Sequence, residues 1–184
     1  MLGVGPVRQA DRGFSLPEVM IVVGIVLIIL SMAIPAVSKI LRGYRLSGDA
    51  RGIAAQLSLA RMRAASNFTK AEVNFDTVAQ TYQVEVWSKS AGAYQPEGGA
   101  QPLSQGDVFG FGTLTAPADG QTTIAQTNPI FFNSRGVAVD SSGNATANSA
   151  IYITNNRGSY CAVTISVAGR PSVWRYNGSA WVSF

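Results

Sequence analysis

Histidine is absent from this chain, cysteine occurs once, and only 13% of the residues are charged. The first absence removes the commonest metal ligand and general base. A lone cysteine, Cys161, excludes an intramolecular disulfide. It lies in an alternating apolar run and reads as a small buried hydrophobe rather than a reactive thiol. The sequence has no phosphate-binding loop, nucleophile motif or cluster of metal ligands. Asp76, Glu85, Glu97, Asp107, Asp119 and Asp140 are scattered over expected strands and turns, and no motif sets two carboxylates at a working separation. An enzyme is therefore not expected, and no catalytic, metal or cofactor-binding residue is assigned.

Apolar residues make up 47% of the chain, and they are unevenly spread. The 184 residues suit one modest globular domain plus an appendage. Residues 19–37 run for 19 positions without a charge. At about 1.5 Å per residue a helix of that length spans roughly 28 Å, close to the hydrocarbon thickness of a bilayer. An isolated domain of this size cannot bury such a run, so it must meet lipid or other helices. The net charge of +4 is equally local. Residues 14–66 carry six basic and two acidic side chains, whereas residues 67–184 carry six basic and seven acidic. The basic balance therefore reports on one helix, not on a basic globular surface that would point to nucleic acid.

Three readings compete for the N-terminus. A secretory signal would be cut after its apolar region at a small-x-small site, and Ser31-Met32-Ala33 is compatible with that. A plain signal anchor needs nothing special ahead of the run. The third comes from Gly13-Phe14-Ser15-Leu16-Pro17-Glu18-Val19, after a short polar leader and leading into the run. This segment resembles the processing site of type IV prepilins. The resemblance implies cleavage by a prepilin peptidase between Gly13 and Phe14, with N-methylation of Phe14. Glu18 then becomes the fifth mature residue and Pro35 the twenty-second, both characteristic of type IV pilins. It further implies that the Glu18 carboxylate meets the Phe14 amine of a neighbouring subunit and so sets axial register in a filament. A carboxylate in an apolar helix costs roughly 2.5–3.5 kcal/mol on insertion scales, which favours finding such a partner. Pro35 removes a helix hydrogen bond and, with Gly24, marks where the helix is expected to kink or loosen on packing. Lys39, Arg42 and Arg45 outnumber the leader's Arg8 and Arg12, so loop charge does not set orientation. By resemblance the protein is a single-pass inner-membrane protein with a periplasmic C-terminal domain, later part of a cell-surface or periplasmic filament.

Past Pro35 the pattern turns amphipathic. Ile53, Leu57, Ala60 and Ala64 recur at helical spacing, with Ala50, Ala54 and Ala65 alongside, and the helix is expected to end near Ser66 and Asn67. Lys39, Arg42, Arg45 and Arg51 read either as a solvated, membrane-proximal face or as contacts for lipid headgroups, acidic pilins or DNA. Short alternating runs follow, with strands expected over residues 71–76, 81–88, 129–133, 150–154, 160–167, 172–176 and 180–184. Turn signals separate them at Glu97-Gly98-Gly99, Ser142-Gly143-Asn144, Asn156-Arg157-Gly158 and Asn177-Gly178. Residues 91–127, rich in Gly, Pro and Gln, read as a variable loop region with at most short strands. The expected fold class is α+β: a pilin fold with a long N-terminal transmembrane and amphipathic helix packed on an antiparallel β-sheet. Its segments are a leader at 1–13, a transmembrane or filament-core helix at 14–37, an amphipathic helix at 38–66 and a β-rich domain at 67–184.

Three further stretches narrow the resemblance. Leu59-Ala60-Arg61 before Val73-Asn74-Phe75, Ile130-Phe131-Phe132-Asn133-Ser134-Arg135-Gly136, and Ile165-Ser166-Val167-Ala168-Gly169-Arg170 are similar to the FimT/GspH group of minor pilins and pseudopilins. That implies a minor pilin of a type IV pilus, placed at its tip, with other pilin subunits as partners. A GspH-like pseudopilin of a type II secretion system is the alternative. A DNA-binding minor pilin for natural transformation is another. Some FimT-like pilins bind DNA through Gly-Arg-x-Arg; here Gly169-Arg170 matches, but Pro171-Ser172 follows and Arg175 does not restore the spacing. Arg170 and Arg175 are the candidate phosphate contacts, with Trp174, Tyr176 and Trp181 as stacking groups, against the plainer reading of a soluble sheet edge.

Overall fold

The computed structural model describes residues 15–184; the expected cleavage between Gly13 and Phe14 lies outside them. A single helix, α1 (Leu16–Ser66), precedes ten strands. The chain divides into two compact units, Met1–Leu41 and Arg42–Phe184. In the first, α1 continues through Gly24 and Pro35. Its large apolar side chains from Val19 to Ile34 are all exposed, and an 18-residue window there reaches a mean hydropathy of 2.9 with none of it buried. It is the one helix among the described residues long and apolar enough to cross a membrane.

The second unit folds around the other part of α1. Leu46, Ala50, Ile53, Leu57, Ala60 and Ala64 are all essentially inaccessible. They follow one another at alternating steps of four and three, which keeps one stripe facing inward. The small side chains at 50, 60 and 64 let the backbones approach closely. Two five-stranded sheets share this core, where the sequence predicts one. The first runs in the order β3 (Ala93–Pro102), β2 (Thr81–Ser88), β1 (Ala71–Asp76), β5 (Ile130–Phe132), β6 (Ala138–Val139). The second runs β10 (Trp181–Ser183), β9 (Pro171–Tyr176), β8 (Tyr160–Ile165), β7 (Ser149–Thr154), β4 (Val108–Phe109). Every pairing is antiparallel. Val73, Phe75, Val84, Ile130 and Phe132 of the first sheet and Ile151, Ile153, Cys161, Val163 and Ile165 of the second meet the helical stripe in one cluster.

Residues 91–127 depart from expectation. A ten-residue strand, β3, occupies their first part and pairs with β2 at the sheet edge. Its two prolines and two glycines hide it from a pattern search, and an edge strand tolerates them because one side of its ladder is free. Glu97-Gly98-Gly99 is an irregularity within this strand rather than a turn: the register slips opposite Tyr82 and Val84, and Gly98 takes φ +82°. Arg63 of α1 reaches Glu97 at 2.5 Å and ties this edge to the helix. In the remainder, β4 forms the edge of the second sheet, and Phe111, Ala118 and Ile124 cover that sheet's outer face. Tyr152 is fully buried there; its hydroxyl accepts from the Ala118 amide at 3.0 Å and donates to Gln121. Strands β7 and β8 are therefore covered on both faces, which explains their near-continuous apolar runs.

Candidate functional site

Glu18 lies in the first turn of α1 and, like the apolar residues after it, is exposed. The amides of a first helical turn lack helical partners, so a carboxylate there is favoured locally, and Pro17 is tolerated for the same reason. The unit made by residues 42–184 has its own closed core, and the apolar length of 19–37 contributes nothing to it. Its exposed surface is the part of the molecule that demands a partner.

The three stretches singled out in the sequence meet at one junction in the second unit. Arg61 of α1 donates from Nε to the carbonyl of Gly136 at 3.2 Å. Gly136 and Gly169 both have positive φ, +72° and +73°. A Cβ on Gly169 would lie 2.2 Å from the Gly136 carbonyl oxygen and 3.2 Å from Arg61 Cδ. Only glycine lets these two turns close over the arginine stem. Leu59-Ala60-Arg61, Arg135-Gly136 and Gly169-Arg170 are thus parts of one packing arrangement, and Gly169 has a structural task there.

Arg170 and Arg175 are both exposed, immediately before and near the end of β9. Five residues of strand hold their backbones about 17 Å apart. The aromatic residues do not form a free platform between them. Trp181 donates from Nε1 to the Ala116 carbonyl at 3.0 Å, and Trp174 donates to Thr164 Oγ1 at 2.9 Å. Both pack into the cluster around Tyr152 and Ala162, on the sheet face opposite to Arg175. Cys161, at 1% exposure, is packed against the core, and burial pushes its thiol up to about 11. It behaves as a small hydrophobe.

Two carboxyl sites escape sequence reading because their partners are distant in the chain. The first is Glu72, whose register neighbours are Glu85 and Phe131. Tyr94 of β3 and Phe131 of β5 belong to strands separated by β1 and β2, yet their rings stand 6.1 Å apart. They lean across the sheet and cover Glu72, which is only 7% exposed. Burial, with Glu85 opposite as the lesser cause, raises its pKa from 4.5 to about 7. An acid with a raised folded pKa holds its proton more tightly when folded. Its contribution therefore makes the fold most stable below about pH 4.5 and weakens it up to about pH 7. Glu72→Gln is expected to stabilise the protein at pH 8 by about 1–2 kcal/mol and to leave it nearly unchanged at pH 4. Thermal unfolding at both pH values checks this; an equal effect at both would show that Glu72 does not titrate in that window.

The second is Asp107, 6% exposed, held against Asp49 of α1. Burial first, and Asp49 second, raise its pKa to about 7, while Arg45 opposes the shift. Asp49 in turn accepts from the Ser104 amide at 2.7 Å and the Ser104 hydroxyl at 2.9 Å. Among the described residues no group of three or more His, Cys, Asp or Glu side chains is placed to hold a metal ion.

Residues 8–34 match the model for the prokaryotic N-terminal methylation motif, and residues 49–169 match that for type II transport protein GspH. Two solved structures of the minor pseudopilin EpsH from the type II secretion system of Vibrio cholerae are similar. One has 12% identity and a TM-score of 0.45, covering 70% of this chain and 92% of that one. The other has 13% identity and a TM-score of 0.40, covering 76% and 96%. No curated protein sequence matches the chain. With the GspH model spanning residues 49–169 and the methylation motif ahead of it, the chain belongs to the GspH family of pilin-like proteins.

Proposed function

We propose that this chain is a minor pseudopilin of a type II secretion filament. A prepilin peptidase removes residues 1–13, Phe14 is N-methylated, and residues 14–37 hold the subunit in the inner membrane with the β-rich domain in the periplasm. During assembly Glu18 pairs with the Phe14 amine of a neighbour, and the helix yields around Gly24 and Pro35. The observation that carries this reading is the family match over residues 49–169, in the same chain as the methylation motif at 8–34. From sequence alone a type IV pilus subunit stands first; the match to a type II transport protein moves the secretion filament ahead of it. The separation of Arg170 from Arg175, and the inward-facing indoles, favour no DNA-binding reading.

In-cell crosslinking in the native host, paired with deletion of the gene, tests the proposal. The expected partners are the other pseudopilins of a secretion system, with export largely lost on deletion. Crosslinks to pilus subunits alone, with export intact, would overturn it.

A further inference from the structure

The chain covers the outer face of its second sheet, but on the first sheet Glu85, Trp87, Tyr94 and Phe131 stay half-exposed around Glu72. Alternation along β1, β2 and β5 turns Glu72, Glu85, Trp87 and Phe131 away from the core. The two glutamates stand directly opposite one another in register. Like charges in that position destabilise a sheet, so packing gives no reason for the pair. Glu85 receives one long hydrogen bond, from Asn74 Nδ2 at 3.5 Å. Glu72, only 7% exposed, receives none among the described residues, and the one ion pair among them, Arg63 with Glu97, involves neither acid. A buried acid without a donor or a cation is costly. Its oxygens are nevertheless not sealed: the fully enclosed side-chain atoms that lack a partner are those of Asp107 and Gln126. Glu72 can therefore be touched from solvent.

The surroundings of the acid narrow what would touch it. Trp87 meets Tyr94 edge-to-face at 5.2 Å, and Tyr94 meets Phe131 at 6.1 Å, so three rings run in a row beside the two carboxyls. Tyr94 is close enough that Glu72, after burial, helps to raise its phenol above the usual range. Carboxylates and aromatic faces both attract cations. A divalent metal ion asks for a full shell of oxygens, and here rings occupy the other sides. A lysine ammonium is compact and strongly hydrated. A guanidinium is planar and weakly hydrated, stacks on rings and forks onto a carboxylate.

We propose that this face of the first sheet docks an arginine of a partner protein, its guanidinium stacked on Tyr94 and forked onto Glu72, with Glu85 beside it as the second charge. Charge complementarity selects the occupant: two acids and three rings are assembled, and no cation of the chain is paired with those acids. Every residue of the site belongs to the unit of residues 42–184. The inference holds whichever filament the chain serves.

The test uses the full chain in neutral detergent at pH 8, where Glu72 is ionised, with fluorine NMR of a trifluoroacetylated glycyl-arginine amide as the probe. The neutral citrulline counterpart has the same shape without the charge. The arginine probe is expected to bind about fivefold more tightly than the citrulline probe, and more tightly than a lysine probe. Glu72→Gln is expected to abolish the preference for arginine over citrulline. Since that variant is expected to stabilise the fold at this pH, misfolding would not account for the loss. Tyr94→Leu, which keeps an apolar cover but no ring, should weaken arginine binding severalfold. Asp140→Asn, at an exposed acid in a separate turn, should change nothing. Equal binding of the arginine and citrulline probes, equal binding of the lysine probe, an unchanged preference in Glu72→Gln, or a loss in Asp140→Asn as large as in the site variants would each overturn the proposal.

Discussion

Glu18→Leu is expected to leave the protein in the membrane, with its leader removed, while its incorporation into filaments falls at least tenfold, about 1.4 kcal/mol. Leucine is at home in lipid. The substitution removes an insertion cost of roughly 2.5–3.5 kcal/mol for a carboxylate within an apolar helix, so membrane residence becomes easier. Under the proposed pairing it also removes the group that rewards leaving lipid, since the neighbour's amine would then have no counter-charge to meet. Glu18→Asp should retain part of the activity, because it keeps the charge on a shorter arm. Separation of sheared filaments from membranes, with the subunit quantified in each, gives the ratio. Equal incorporation of the leucine variant would remove Glu18 from assembly.

Gly169→Ala is expected to destabilise the folded domain by about 3 kcal/mol or more. The new methyl would stand 2.2 Å from the Gly136 carbonyl oxygen, at a backbone φ of +73° that side chains rarely adopt. A backbone carbonyl cannot step aside as a side-chain tip can, so the two turns must part and the Arg61 bond to Gly136 goes with them. Gly136→Ala should cost less. Its Cβ would meet mainly the Arg61 side chain at 3.1 Å, which can shift, although the φ penalty remains. Urea unfolding of both variants ranks them. A Gly169→Ala protein within about 0.5 kcal/mol of the native chain would show that the junction is not closely packed.

Local patterns exposed much of this fold. The alternation in 71–76 and 81–88 coincides with β1 and β2, and the spacing of Ile53, Leu57, Ala60 and Ala64 marks the buried face of α1. Each of these signals is carried by residues that are neighbours along the chain. Long-range geometry was less legible. β3 was hidden because an exposed edge strand needs no apolar alternation, and the second sheet because pairing order is not written in local periodicity. Gly136 and Gly169 could be matched to a family but not explained until Arg61, from the helix, was seen between them. Glu72 looks like an ordinary strand carboxylate; only the rings of Tyr94 and Phe131, brought from other strands, bury it. The pairing of Asp107 with Asp49 likewise joins residues far apart in sequence.

The proposed function depends on a helix whose apolar length would face lipid until subunits stack, and on a new amino terminus made immediately before it. Mass spectrometry of the mature N-terminus, on protein from the native host, tests this most directly. A chain beginning at Phe14 with one N-methyl group is the predicted result. A chain that retains Met1 through Gly13, or one cut beyond Val37, would contradict it.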